Sequence, residues 1–227
     1  MDKIEVLNRF LPAAIAAYAP FKGAVSMELP ADYELCGVIG QDKWGIVLKQ
    51  KRTETILVAF RGTETLDDWF HNFTAIPVPT PDFIGLPGHI HYGFLEVYNR
   101  IRYAACDLVL AAARDGFKIK VTGHSLGGAL AKLFALDWCH SDPDLVTFAA
   151  PRLGSPAFAT AASSILPQAL RVVNFGDVVP QVPLSGFPVA LFQHFGQQMT
   201  VRGGFNPFDV AYGHNLIQYR TGLKLLI

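Results

Sequence analysis

The order of apolar and polar residues along the chain predicts alternating strands and helices. Six short apolar runs are typical of strands: residues 35–39, 44–50, 55–60, 118–122, 145–148 and 171–174. The third run reads TILVAF, and such a continuous β-branched and aromatic run favours a strand that is buried on both faces. Helices are predicted over residues 93–114, 126–139 and 156–164. Apolar residues recur there at helical spacing, or the segment connects two predicted strands.

Strands that alternate with helices of this length indicate an α/β fold. We expect a mainly parallel central sheet with helices on both faces. A length of 227 residues suits one hydrophobic core, so the sequence predicts a single domain over residues 1–227.

The N-terminal segment could be a packed helix or a signal peptide. Ile4, Leu7 and Leu11 lie at helical spacing, and the apolar run over residues 10–21 resembles the hydrophobic part of a signal peptide. Asp2, Glu5 and Pro12 argue against a signal peptide, so we expect a helix of the mature fold. The sequence does not decide whether the protein stays in the cytoplasm or is exported by another route. No apolar stretch approaches the roughly 20 residues of a membrane span, so we expect no transmembrane segment.

The net charge and the cysteine spacing give no indication of a nucleic-acid partner, a bound metal or a disulfide. The formal net charge is +0, which gives no reason to expect a nucleic-acid partner. Cys36, Cys106 and Cys139 match no metal site or thiol pair in their spacing, so we expect buried free thiols and no bound metal. Apolar residues make up 51% of the chain, which suits a protein that presents apolar side chains to a lipid.

The strongest chemical motif lies between the fourth strand and the second of these helices. Residues 121–131 read VTGHSLGGALA, which contains the pattern Gly123-x-Ser125-x-Gly127. In a nucleophile elbow a serine occupies a sharp strand-to-helix turn, and glycines are needed where side chains would collide with neighbouring backbone. The helix N-terminus at this turn favours developing negative charge. The pattern therefore predicts that Ser125 is a nucleophile.

Four blocks in order make the chain resemble the class 3 lipases, which include fungal triacylglycerol lipases and feruloyl esterases. They are FRGT from Phe60 with Asp68-Trp69, His91-x-Gly93-Phe94, the elbow itself, and Phe148-x-x-Pro151-Arg152-x-Gly154, which is followed by Arg171-x-Val173-Asn174 and Asp177-x-Val179-Pro180. The resemblance implies an α/β-hydrolase fold and cofactor-free hydrolysis of carboxylic esters. The chain is short for a fungal member and lacks the paired cysteines of those enzymes.

A serine nucleophile needs a base and an acid that orients the base. In this fold the chain order is serine, then acid, then histidine. Asp177 follows the strand at 171–174 and is the predicted acid, whereas Asp144 precedes a strand and should lie at the wrong sheet edge. His194 and His214 both follow Asp177. The resemblance favours His214 as the base, in a loop that enters a C-terminal helix, and gives His194 a structural hydrogen bond.

The oxyanion formed during acyl transfer needs two hydrogen-bond donors. The backbone N–H of Leu126, next to the nucleophile, is one predicted donor. The other is Thr63, which follows the strand at 55–60 and offers its backbone N–H and its hydroxyl.

A short amphipathic helix is predicted directly after Thr63. Leu66, Trp69, Phe70 and Phe73 fall at i, i+3, i+4 and i+7. In the lipases that the chain resembles, a helix here is a lid that covers the site. The apolar stripe either covers an acyl pocket in this way or packs on the core, and the sequence does not choose between these roles.

We therefore expect a lipase or esterase whose partner is an ester or lipid substrate, including substrate presented at a lipid–water interface. Two alternatives within the hydrolases are a phospholipase A1 and a feruloyl-type esterase. A third is a non-catalytic lipid-binding relative, which would require a broken triad, whereas this chain retains every part. The oligomeric state is left open.

Overall fold

The computed structural model describes residues 1–23, 26–63, 75–113, 116–183 and 191–227. Its centre is a seven-stranded sheet with the order β1-β2-β3-β6-β7-β8-β9. The strands of this sheet are β1 Tyr33–Ile39, β2 Gly45–Gln50, β3 Thr55–Phe60, β6 Lys118–His124, β7 Asp144–Phe148, β8 Leu170–Asn174 and β9 Gln197–Val201. β4 (Pro77–Pro79) and β5 (His89–His91) form a separate antiparallel pair.

Most of the central sheet is parallel, as the sequence predicts. β1 and β2 form an antiparallel edge, while β3, β6, β7, β8 and β9 run parallel to one another. Parallel neighbours place their carboxyl ends at the same edge of the sheet, where ligand sites of open α/β sheets form. The loops after β3, β6 and β8 therefore leave the sheet on the same side.

The helices of the described residues cover both faces of the sheet. The N-terminal helix α1 consists of Lys3–Glu5, a π-helical turn Val6–Phe10, and Leu11–Ala16. The others are α2 Tyr92–Ala112, α3 Leu126–Asp137, α4 Pro156–Ile165, α5 Val210–His214 and α6 Leu216–Lys224. α2, α3 and α4 contribute to one buried apolar cluster, and α1 and α6 contribute to a second on the opposite face.

Strand β3 explains why two separate clusters form. Its six residues are all buried. Ile56, Val58 and Phe60 belong to the cluster with α2 and α3, whereas Leu57 and Ala59 belong to the cluster with α1. Side chains of a strand alternate between faces, so a continuous apolar run supplies both clusters at once. The expectation of a doubly covered strand is confirmed.

Two expectations need correction. The strand β9 was missed because only Val201 in the segment QQMTV is buried, so no apolar alternation marks it. The cysteines are free, but Cys36 is exposed and Cys106 and Cys139 are only partly buried.

The N-terminal helix is packed as predicted, with Val6, Phe10 and Leu11 fully buried. No described helix meets the length and hydropathy needed to cross a membrane.

Lys132 on α3 is a charged residue that lies completely inside the protein. Its Nζ atom donates to the carbonyl of Pro151 at 3.2 Å and lies 3.5 Å from Nδ1 of His194. Burial, reinforced by the positive charge of Arg171, holds the pKa of Lys132 well below its usual value. The unfolded chain therefore binds a proton at this side chain over a pH range in which the folded chain does not.

This difference in pKa predicts that the contribution of Lys132 to the free energy of unfolding increases as pH rises toward the ordinary lysine pKa of about 10.4. Between the folded and unfolded pKa values of Lys132, the free energy of unfolding should increase by up to about 1.4 kcal/mol per pH unit. Urea denaturation of the wild type and of Lys132→Met at pH 7 to 10 measures this contribution, since other groups cancel in the difference. Parallel stability curves for the two proteins would contradict it.

Candidate active site

Ser125 occupies a sharp turn between β6 and α3. Its backbone angles are φ 59° and ψ −130°, in a region that residues with a side chain rarely adopt. The Ser125 N–H donates to the carbonyl of Phe148 on β7 at 3.0 Å, and the Ser125 carbonyl accepts from Gly128 at 2.9 Å. Strain of this kind persists only where the surrounding structure holds it in place. The strand-turn-helix elbow predicted from the sequence is therefore present.

Close backbone approach explains two of the glycines in the elbow. A Cβ atom at Gly123 would collide with the carbonyl of Gly127, and a Cβ atom at Gly127 would collide with the carbonyls of Phe60 and Arg61. These obstacles are backbone atoms, which cannot swing aside as a side chain can. The elbow is consequently clamped between its own helix and the end of β3.

Asp177 and His214 form a hydrogen-bonded pair at the carboxyl edge of the sheet. Asp177 lies three residues beyond the end of β8, and His214 is the last residue of α5. His214 Nδ1 lies 2.9 Å from Oδ2 and 3.1 Å from Oδ1 of Asp177. The expectation of a loop at His214 is corrected, because this residue ends a short helix directly before α6.

The Asp177 carboxylate receives further hydrogen bonds that keep it ionised. The Tyr219 hydroxyl donates to Oδ2 at 2.6 Å, and the Val179 N–H donates to Oδ1 at 3.0 Å. Burial alone would raise the pKa of Asp177. The hydrogen bonds and charge of His214, with the bonds from Tyr219 and Val179, outweigh burial and hold that pKa below its usual value. A charged carboxylate at this place orients and stabilises an imidazolium.

The structure brings His214 close to the elbow. The rings of His214 and His124, the residue before Ser125, have centroids 4.5 Å apart. Ser125, Asp177 and His214 are all buried. Within the part of the chain that the structure describes, His214 Nε2 has no hydrogen-bond partner, so a Ser125–His214 hydrogen bond is not formed in this conformation. The free nitrogen is the atom that a base of this type uses to accept a proton.

Leu126 and Thr63 lie on the two sides of Ser125. Leu126 is the first residue of α3, and the N–H groups of a first helical turn have no partner within the helix. Thr63 follows β3 by three residues, and its Oγ1 is buried without a hydrogen-bond partner among the described residues. A Cβ atom at Gly62 would lie 2.8 Å from Ser125 Cβ, so the loop with Thr63 passes directly against the elbow.

Several contacts at this site involve residues that sequence reasoning did not select. Tyr219 binds Asp177, while Asn174 Nδ2 donates to the carbonyls of Gly204 and Gly213 and so anchors the segment before His214. Tyr18 and His124 connect the elbow to the loop after β3. The asparagine and histidine belong to the quoted blocks, but no local pattern indicates the bonds that they make.

His194 and His91 both form hydrogen bonds with the backbone. His194 Nε2 lies 2.7 Å from the carbonyl of Pro180 and donates a structural hydrogen bond to it. His91 caps α2, because its Nδ1 accepts from the Gly93 N–H at 3.1 Å. Asp144 begins β7 and so lies at the opposite edge of the sheet from Asp177.

The predicted lid residues Leu66, Trp69, Phe70 and Phe73 lie outside the described residues. Across the described ranges, no group of three or more His, Cys, Asp or Glu residues could hold a metal ion.

Comparison with known families adds an independent observation. Residues 57–187 match the family described as Lipase (class 3). The chain belongs to the class 3 lipase family. This segment contains most of β3, the elbow and Asp177, and the fold is the α/β-hydrolase fold.

Three relatives illustrate the range of this class 3 lipase family. A lipase of Rhizomucor miehei is 34% identical over 70% of this chain and 45% of its own length. The solved structure of the native R. miehei lipase propeptide complex superimposes on this structure with a TM-score of 0.73 at 27% sequence identity. The superposition covers 88% of this chain and 68% of the R. miehei chain. The secreted mono- and diacylglycerol lipase 1 of Fusarium solani is 30% identical over 94% of this chain and 68% of its own. Phospholipase A1-II 3 of Oryza sativa subsp. japonica is 29% identical over 77% of this chain and 50% of its own.

The chain thus spans about half the length of the first curated relatives it matches.

The crowding around the elbow leads to a stability test at two glycines. Gly127→Ala should lower the free energy of unfolding by more than about 3 kcal/mol, because its Cβ would displace backbone of β3. Gly213→Ala is the matched control, since a Cβ there meets only ordinary contacts beyond 3.6 Å within a helix. We expect a change of no more than about 1 kcal/mol in the control. Denaturant unfolding measures both, and equal effects would show that the elbow is not clamped.

Proposed function

We propose that this chain hydrolyses carboxylic esters of acylglycerol lipids through an acyl-enzyme formed on Ser125. The observation that carries the proposal is the bond between Asp177 and His214 beside a strained serine elbow. The names of the R. miehei and F. solani relatives support a lipase as the specific type of esterase.

The proposed mechanism starts from the Asp177–His214 pair and requires His214 Nε2 to come within hydrogen-bond distance of Ser125 Oγ. His214 Nε2 accepts the proton of Ser125 Oγ, and that oxygen attacks the ester carbonyl carbon. Asp177, ionised and bound to Nδ1, stabilises the resulting imidazolium. Negative charge develops on the carbonyl oxygen, which the Leu126 N–H and the Thr63 N–H and hydroxyl stabilise. The tetrahedral intermediate collapses, and the alcohol leaves with the proton from His214. Water then repeats the sequence and releases the acid.

Removing the nucleophile should abolish this chemistry. We expect Ser125→Ala to lower kcat for p-nitrophenyl butyrate by at least about 10⁴-fold, as the loss of a triad serine does elsewhere. Ser163→Ala on the exposed face of α4 is the control and should keep wild-type rates. Asp177→Asn should lose about 10⁴-fold through the wrong histidine tautomer. Undiminished hydrolysis by Ser125→Ala would refute the proposal.

A phospholipase A1 is the second candidate, and the rice relative favours it. Both activities use the same ester chemistry and differ in whether the alcohol carries a phosphate headgroup. Initial rates on triolein, diolein, dioleoyl phosphatidylcholine and methyl ferulate, with Ser125→Ala as blank, separate lipase, phospholipase and feruloyl esterase.

Three exposed aromatic side chains, one just before Asp177 in the sequence and two in the segment that leads to His214, support action at a lipid–water interface. Phe208 is 96% exposed, Phe175 54% and Phe205 51%. Phe175 and Phe205 contact each other with ring centroids 6.5 Å apart, and Phe205 lies over Gly176, next to Asp177. Large apolar side chains grouped in solvent mark interaction surfaces. We propose that this group, the aromatic rim, inserts into the surface of an emulsion or membrane.

Replacing the most exposed rim residue should affect only aggregated substrate. We expect Phe208→Ser to lower the rate on triolein emulsion by about 10-fold or more, since burying one phenyl ring contributes about 1.5–3 kcal/mol. Its rate on soluble p-nitrophenyl acetate should not change. Leu110→Ser is the control, because Leu110 is also exposed but lies near the carboxyl end of α2, at the opposite edge of the sheet. An equal loss on both substrates, or in the control, would contradict interfacial insertion.

A further inference from the structure

A chain of hydrogen bonds connects three separate segments of the site through Tyr18, which follows α1. Its hydroxyl oxygen lies 2.9 Å from the N of Gly62 and 2.7 Å from Nδ1 of His124. Nε2 of the same imidazole lies 2.9 Å from the backbone carbonyl oxygen of His214. The loop after β3, the elbow and the end of α5 are thus joined by two side chains.

The end groups and a neutral His124 imidazole together fix the direction of every bond in this chain. The Gly62 N–H can only donate, so the Tyr18 oxygen accepts from it. Because a neutral imidazole with its hydrogen on Nε2 can only accept at Nδ1, the Tyr18 hydroxyl donates to Nδ1. The His214 carbonyl can only accept, so His124 Nε2 carries the hydrogen. Burial, together with the charge of His214, lowers the pKa of His124 to about 3. The imidazole therefore stays neutral, in one tautomer, at ordinary pH.

Gly62 is held on its other side as well. Nη1 of Arg61 donates to the Gly62 carbonyl at 2.8 Å, while the same guanidinium binds the carbonyls of Asp42 and Lys43. In a planar trans peptide the carbonyl of one residue and the N–H of the next point in opposite directions. Fixing the Gly62 carbonyl therefore fixes the direction of the Thr63 N–H, one of the two proposed oxyanion donors.

We propose that Tyr18 and His124 act as one pair of positioning residues, which hold the Thr63 donor and the backbone of His214 in register with Ser125. This inference rests on the proposed function. Neither side chain forms a hydrogen bond with Nε2 of His214, the atom that accepts the proton in the proposed mechanism. A shift of about 1 Å in a donor or base lowers the rate of the chemical step by about 100-fold, so positioning of this kind acts on kcat.

Tyr18→Phe removes the shared hydroxyl and leaves the ring. We expect kcat for p-nitrophenyl butyrate to fall about 10- to 100-fold, with KM changed less than about twofold. Tyr33→Phe is the matched control, because Tyr33 is buried in the same apolar cluster as α1 and its hydroxyl has no hydrogen-bond partner within the described residues. That variant should keep wild-type kcat.

Two substitutions at His124 separate the halves of the chain. His124→Asn places an oxygen near the position of Nδ1, so it can keep the Tyr18 bond but loses the donor to His214. His124→Gln can keep that donor but loses the acceptor for Tyr18. If the two residues act as one unit, the double variant Tyr18→Phe/His124→Gln should lose kcat by a factor much smaller than the product of the factors lost by the two single variants.

The readout that separates positioning from mere stability is the affinity of an alkyl boronic acid, whose tetrahedral adduct on Ser125 places an oxygen at the oxyanion donors. We expect Tyr18→Phe to weaken this affinity by about the same factor as kcat, measured well below the unfolding midpoint. Wild-type kcat in Tyr18→Phe, strictly multiplicative effects in the double variant, or a lowered kcat with unchanged boronate affinity would each overturn the inference. A wild type that hydrolyses no ester would instead refute the proposed function itself.

Discussion

The backbone turn at Ser125 is the constraint on which the rest of the structure depends. Ser125 is held at φ 59°, directly between the end of β6 in the centre of the sheet and the first residue of α3. The turn is clamped by the crowding of Gly123 and Gly127 against backbone, including that of Phe60 at the end of β3. The position of Ser125 above the sheet, its strained backbone and its place at the N-terminus of α3 are therefore all properties of this one turn.

The parallel arrangement of the strands brings the other groups to this turn. β3, β6 and β8 deliver Thr63, Ser125 and Asp177 to one edge, although these residues are far apart in sequence. His214 comes from a later segment, which Asn174 anchors at the end of β8 through the carbonyls of Gly204 and Gly213. Two apolar clusters, one on each face, make the sheet a rigid support for these loops. Rigid support is what the proposed acyl transfer requires, because its rate depends on hydrogen-bond donors that are held in place.

Much of this architecture could be predicted from sequence. Continuous apolar runs such as Thr55–Phe60 mark buried strands, and the spacing of Gly123, Ser125 and Gly127 reflects a steric need that the structure reproduces. β9 could not be predicted, since edge strands with one buried residue lack an apolar pattern. The exposure of Cys36 was missed for a similar reason, because an edge strand leaves one side in solvent.

Long-range hydrogen bonds were equally invisible in the sequence. The bond from Tyr219 to Asp177 joins residues that no local motif relates, and the Tyr18–His124 contact spans more than a hundred positions. Such pairs arise from topology, which places α1 and α6 on the same face of the sheet. The choice between His194 and His214 likewise needed either a family resemblance or the geometry, which places only His214 against Asp177.

Covalent labelling with diethyl p-nitrophenyl phosphate, which phosphorylates an activated serine and releases p-nitrophenol, tests whether Ser125 is the nucleophile. We expect a stoichiometric burst of p-nitrophenol and, by peptide mass spectrometry, a single diethylphosphoryl group on Ser125. Protein that is unfolded in urea before the reagent is added should not become labelled at Ser125. Absence of a burst from the folded protein, or a label on another residue, would contradict the assignment of Ser125 as the nucleophile.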